Sequence, residues 1–155
     1  MENIVATLIT RAESHPDRLL IDAPDGALTY ASFFKRSLSI AERISMRGVQ
    51  RGERVAIVAK DYVSCMTSLF GCWLSGTVAV PLNLSLSTEV MRELMRDADV
   101  KLLVQQGGEE APDPEIETLK YIELPSRSFI KDPMVSMNGS EDALILFTSG
   151  TTGKN

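Results

Sequence analysis

VAIVAKDYVSCMTSLFGCWLSGTVAVPLN, residues 55–83, is the stretch on which the fold turns. Its first five residues, Val55-Ala56-Ile57-Val58-Ala59, are apolar, uncharged and rich in β-branched side chains, as in a strand covered on both faces. Residues 62–74 form a helix that stops before Gly76, and residues 78–80 are a second buried strand. Further on, a helix over 89–98 presents Val90, Met91, Leu94, Met95 and Ala98 as its core face, and a strand comes next over 102–105. The two methionines read as packing groups rather than as a cofactor box. Strand and helix alternating through short links predict a mainly parallel sheet flanked by helices, with right-handed crossovers. From Tyr62 to Thr88 the chain carries 27 uncharged residues, enough to cross a bilayer. Gly71, Gly76 and Pro81 interrupt that run and serines and threonines are scattered through it, so a buried helix and strand are expected, not a membrane span.

Upstream, residues 3–14 have Ile4, Val5, Leu8, Ile9 and Ala12 on one helical face, with Pro16 just past the end. Residues 19–21 and 27–29 flank Pro24-Asp25-Gly26, which reads as a β-hairpin. Thr29 then caps a helix to about Arg47, with Phe33, Phe34, Leu38, Ala41 and Ile44 as its apolar stripe and Gly48 as its stop. Downstream, Gly107-Gly108-Glu109-Glu110 and Pro112-Asp113-Pro114 read as an exposed, solvated acidic loop. A strand over 121–124 and an irregular stretch over 125–142 lead to Ala143-Leu144-Ile145-Leu146-Phe147, expected to be an internal strand that delivers the C-terminal string to a sheet edge.

That string is Thr148, Ser149, Gly150, Thr151, Thr152, Gly153 and Lys154, then Asn155. Glycines let the backbone turn with positive φ and come close to an anion, successive N–H groups form a concave nest, and hydroxyls add donors. Hydrogen bonds to a charged group contribute roughly 1.5–3 kcal/mol each, so a few of them hold a polyphosphate in water. A flexible polar tail is the plain alternative for such a composition, and the strand before it argues for a phosphate cradle. The Walker pattern G-x-x-x-x-G-K-[ST] does not fit. With Gly153-Lys154 as its GK pair, Thr148 stands where the first glycine belongs and Asn155 where the last hydroxyl belongs.

The string resembles the [ST]SGTTGxPK signature of the adenylate-forming superfamily: acyl-CoA and aryl-CoA synthetases, luciferases and the adenylation domains of peptide synthetases. Thr148 to Gly153 match it, Lys154 takes the variable position, and Asn155 stands where proline is commonest. Other landmarks occur in the family's order. Leu28-Thr29-Tyr30 is similar to its "LTY", residues 48–56 to "GVxxGDRVA", and residues 76–83 to "AGAVxVPLN". The resemblance implies the first subdomain of the large N-terminal domain of these enzymes, incomplete, with residues 1–155 ending at the phosphate-binding loop. It implies an ATP-dependent carboxylate–CoA ligase that makes an acyl-adenylate and passes the acyl group to a thiol. ATP, Mg²⁺ and coenzyme A are the implied cofactors, a small carboxylic acid the implied substrate, and Thr148 to Lys154 the implied nucleotide-binding residues. Donors are assigned to Ser149, Thr151 and Thr152 and close backbone approach to Gly150 and Gly153. No catalytic residue or metal ligand is assigned within the chain, and these residues alone are expected to be inactive. Two alternatives stand beside this reading: a non-catalytic truncated product that acts by association through exposed sheet surface, and an adenylation domain whose thiol acceptor is a carrier protein.

Composition narrows the classes. At 155 residues, one domain that buries about 68–70% of its unfolded surface is expected. The net charge is −5 with no basic cluster on any predicted face, so neither nucleic acid nor an anionic membrane is an expected partner. Cys65 and Cys72 are seven apart, on one helical face, and read as buried thiols of a reducing compartment. His15, the single histidine, reads as a surface residue and not a general base. Glu2 and Glu13 argue against a secretory or transit leader, and a cytoplasmic location is expected.

Overall fold

A computed structural model describes residues 3–107, 110–121 and 140–148. Helix α1 (Ile4–Ser14) starts at Asn3, whose side chain accepts from the Ala6 amide, and buries Val5, Leu8 and Ala12. Strands β1 (Leu19–Ala23) and β2 (Gly26–Thr29) form an antiparallel hairpin. Gly26 at the turn has φ of 147°, a region that disfavours side chains. Thr29 and Ser32 make a reciprocal capping box for α2 (Tyr30–Met46), which ends before Gly48 at φ of 73°.

The main sheet contains β3 (Arg54–Val58), β4 (Val78–Pro81), β5 (Val100–Gln106) and β6 (Thr118–Tyr121), all parallel, in the order β4-β3-β5-β6. Helix α3 (Tyr62–Leu74) joins β3 to β4, and α4 (Thr88–Asp97) joins β4 to β5. Alternation along β3 divides the core. Val55 and Ile57 face α2 and α3 with Ile40, Ile44, Cys72, Leu102, Val104 and Leu119. Ala56 and Val58 face α4 with Val80, Met91, Met95 and Leu103. The two helices that leave β4 and β3 thus lie on opposite faces, as crossovers of one hand require when the chain reverses direction across β3. Outside α2 and α3, the hairpin and α1 close a third cluster around Leu8, Ile21, Leu28, Phe33 and Phe70.

Three expectations need correction. The strand expected to begin at Tyr121 begins at Thr118, because Leu119 is the apolar residue that enters the core, 3% exposed; residues 122–124 of that expectation lie outside the described residues. Residues 110–117 are not simply solvated. Pro112 and Asp113 are buried, Arg92 donates to the Pro112 carbonyl at 3.0 Å, and Arg96 reaches the Asp113 carboxylate at 3.2 Å, so this segment straps α4. Val90 and Ile4, expected on core faces, are exposed.

Candidate functional site

Parallel sheets take their ligands past the carboxyl ends of their strands, where helix N-termini and loops converge. In the order β4-β3-β5-β6 the connections leaving β3 and β5 run in opposite directions, so the generic crevice lies between those two strands. Here the chain fills it. The Gln106 side-chain carbonyl accepts from the Lys60 amide at 2.6 Å and the Asp61 amide at 3.3 Å, while its NH₂ donates to the Asp61 carboxylate. Asp61 also caps α3, accepting from the Ser64 amide at 2.7 Å and the Ser64 hydroxyl at 3.0 Å. Burial, the largest single influence, raises the Asp61 carboxyl, but hydrogen bonds from Ser64 and Gln106 hold it below its ordinary value. A carboxylate already sits where an anion would bind, so this crevice repels phosphate.

The outer edge of β4 is different. Residues 143–145 lie beside it in parallel, joined by one bridge between Leu144 and Ala79. The Ala79 amide donates to the Ala143 carbonyl at 3.1 Å and the Ile145 amide to the Ala79 carbonyl at 2.9 Å. The expected internal strand is therefore an edge segment. Among the described residues only β4 lies beside it, and Leu144, Leu146 and Phe147 are 41%, 64% and 39% exposed. Ile145 alone packs inward, on the α4 side. Continuing the register of the bridge sets Thr148 level with Asn83, past the end of β4 at Pro81. Thr148 is exposed there. The other residues assigned from sequence, Ser149, Gly150, Thr151, Thr152, Gly153 and Lys154, lie outside the described residues.

Two side-chain contacts tether this segment, and neither is legible in the sequence. The Trp73 indole N–H donates to the Ala143 carbonyl at 2.7 Å. Arg51 grips the Glu141 carboxylate through Nε at 3.1 Å and Nη2 at 2.6 and 2.9 Å, beside a cavity of about 310 Å³ that Gly52, Gly76, Val78 and Asp142 also line. A hydrogen bond of this kind stabilises by about 0.5–1.5 kcal/mol and an exposed ion pair by about 0–1 kcal/mol. With both carriers of the ion pair 38% exposed, the tether is weak. Arg51 and Glu141 are 90 residues apart, which leaves no local signal to find them by. Asp61, by contrast, advertises itself as an acidic cap just ahead of an apolar helix.

The remaining candidates carry no chemistry. His15 is exposed, its Nδ1 2.8 Å from the Ser14 hydroxyl. Cys72 is fully buried and its thiol is pushed up to about 12 by burial, while Cys65 is half-buried and raised by burial and then by the Asp61 charge. Among the described residues there is no cluster of metal-ligating side chains and no helix long and apolar enough to cross a membrane.

A parallel α/β sheet with helices on both faces, receiving a further chain segment along its β4 edge, is the architecture of the N-terminal domain of adenylate-forming enzymes. The AMP-binding enzyme family matches residues 8–155, and the chain belongs to that family. A 2-succinylbenzoate–CoA ligase of Bacillus cereus (strain AH820) is 32% identical over 155 residues, covering 99% of this chain and 32% of the relative. That of Oceanobacillus iheyensis is 30% identical over 152 residues, covering 94% and 31%. The chain thus spans about a third of the length of the curated relatives it matches. Among solved structures, an O-succinylbenzoate coenzyme A synthetase from Bacillus subtilis in complex with AMP superposes with a TM-score of 0.80 at 26% identity, over 95% of this chain and 39% of that one. The same enzyme in complex with ATP and magnesium ion matches 73% of this chain and 32% of that one, with a TM-score of 0.66 at 27% identity.

Proposed function

We propose that residues 1–155 are the N-terminal, phosphate-presenting part of an ATP-dependent carboxylate–CoA ligase. The observation that supports this reading is the parallel seating of residues 143–145 on β4, which carries the hydroxyl- and glycine-rich string outward past the end of that strand. A carboxylate resists nucleophilic attack because a second negative charge would develop on it. The reaction removes that obstacle: a carboxylate oxygen attacks the α-phosphorus of ATP, the bond to the β-phosphate breaks, and pyrophosphate leaves from an acyl-adenylate. The sulfur of coenzyme A then attacks the acyl carbon and AMP departs. A carrier-protein thiol would serve the same second step. In this scheme Ser149, Thr151 and Thr152 supply hydroxyl donors to the β- and γ-phosphates, Gly150 and Gly153 let the backbone approach, and Lys154 adds positive charge. Their task is to orient the departing pyrophosphate and stabilise its growing charge. Mg²⁺ bound to the polyphosphate shares that charge. The adenine, ribose and acyl contacts belong to sequence outside these residues, so the chain by itself carries out no adenylation.

Pyrophosphate–ATP exchange tests the reading, with 2-succinylbenzoate, the acid named for the relatives, as first substrate. The chain alone is expected to give none. Joined to the remaining two thirds of the Bacillus cereus ligase it is expected to exchange, and Ser149→Ala or Thr151→Ala in the joined protein is expected to slow exchange about a hundred-fold, as loss of a charge-stabilising donor does. Exchange by the short chain, or joined variants as fast as their parent, overturns the assignment.

One observation favours a second reading, a non-catalytic role in association: Leu144, Leu146 and Phe147 expose apolar surface along the sheet edge.

A further inference from the structure

The Ala143 carbonyl oxygen accepts two donors at once, the Ala79 amide from the sheet at 3.1 Å and the Trp73 indole N–H from the end of α3 at 2.7 Å. Two residues earlier, Glu141 is held by the fork of Arg51. Arg51 itself is steered into place: its side chain crosses Gly76, where a β-carbon would stand 3.4 Å from Arg51 Cγ, and the Gly52 amide bonds the Gly76 carbonyl at 2.9 Å. Three separate parts of the fold, namely the turn before β3, the end of α3 and the Gly76 bend, therefore converge on residues 141–145. Within that stretch Ile145 packs inward and Leu144 is open to solvent, and past it Leu146 and Thr148 are exposed as well. The position of residues 146–148 depends on this seat.

We propose that Trp73, Arg51 and Glu141 are positioning residues that latch the approach to the phosphate loop onto β4, so that seating of residues 141–145 and polyphosphate binding are coupled. This rests on the reading of residues 148–154 as a phosphate cradle. The latch is built of few and partly exposed contacts, so the seated and unseated arrangements differ little in free energy. A ligand that prefers the seated arrangement tightens it, and by reciprocity a broken latch weakens the ligand. The steric demand at Gly76 explains why the bend matters: a larger residue there would strain φ of 76° and crowd the arginine.

Trp73 is the single tryptophan of the chain, so its indole N–H gives one resonance and reports on the latch directly. Amide and indole hydrogen exchange is measured on the 155-residue chain with and without magnesium pyrophosphate. Pyrophosphate is expected to slow exchange at the Trp73 indole and the Ile145 amide, both of which the latch protects. Glu141→Ala is expected to speed both by up to about five-fold and to weaken pyrophosphate by a similar factor, while the Leu103 amide, bonded to the Glu117 carbonyl at 3.0 Å, keeps its rate. The charge-swapped pair Arg51→Glu with Glu141→Arg is expected to restore both properties, a rescue that loss of general stability would not show. Unchanged exchange at Trp73 and Ile145 in Glu141→Ala overturns the latch. Faster exchange with unaltered pyrophosphate affinity, or a swap that rescues neither, overturns the coupling. Failure of the unsubstituted chain to bind pyrophosphate overturns the cradle reading and the coupling together, whereas failure of the variants alone leaves the cradle standing.

Discussion

Gly71 lets α2 and α3 touch: a β-carbon there would stand 2.6 Å from Ile40 Cγ2 and 3.1 Å from the Ser37 carbonyl oxygen. Alanine favours helix over glycine by about 1 kcal/mol. Overpacking costs about 1–3 kcal/mol, and Ile40, 1% exposed and branched at the contact, has nowhere to retreat. Gly71→Ala is therefore expected to lower the melting temperature by several degrees in calorimetry, and an equal or higher value would refute the close-contact argument. The next residue along carries a pH dependence. Cys72 keeps its proton up to about 12 when folded, against 9.0 for an ordinary thiol, so the unfolded chain ionises first. Its contribution is present below 9 and is lost as pH climbs towards 12. At pH 8, Cys72 is expected to react with a disulfide reagent only as fast as the chain unfolds, with the half-buried Cys65 reacting sooner; two thiols reacting together in the native chain would contradict this.

At the scale of elements, the cap of α3 contributes to the acid response of the fold. Asp61 ionises below the ordinary 3.8 when folded, so its contribution is present above that value and lost as the pH falls through it. Asp61→Asn still accepts from the Ser64 amide but cannot titrate. Its urea midpoint is expected to change less between pH 5 and pH 2 than that of the unsubstituted chain, and parallel acid profiles would rule Asp61 out. The same helix shows why so much of the fold is legible. The bounds of Tyr62–Leu74 can be read directly, because Gly76 stops the helix and the uncharged strands beside it admit only cover on both faces. Elements whose signal is periodic apolar spacing are recovered in this way. Those that rest on one inward residue are not: β6 depends on Leu119 among charged neighbours, and the burial of Asp113 depends on Arg96 reaching it from α4. The hydroxyls and glycines of the candidate loop are plain in the sequence. Its tether is not, since Trp73 meets Ala143 across 70 residues and only the fold brings them together.

For the molecule as a whole, the two ends of the sheet differ: among the described residues β6 is the last strand on one side, whereas beyond β4 a single bridge holds a segment whose Leu144, Leu146 and Phe147 face solvent. An edge with unpaired backbone groups and neighbouring apolar side chains pairs with another chain unless charge or cover prevents it, and Leu144 to Phe147 carry no charge. In the 155-residue chain the available cover is a second copy. Sedimentation equilibrium is therefore expected to show an average mass that rises above 17.0 kDa with concentration. Leu146→Ser with Phe147→Ser removes apolar surface without touching the core, so it is expected to hold the mass at the monomer value while leaving the melting temperature within about a degree. Joining the chain to the remaining length of a relative should suppress association in the same way, because both changes act on one edge. A chain that stays monomeric throughout, or a double variant that associates as strongly as its parent, would place the apolar contact elsewhere and remove the support for the association reading.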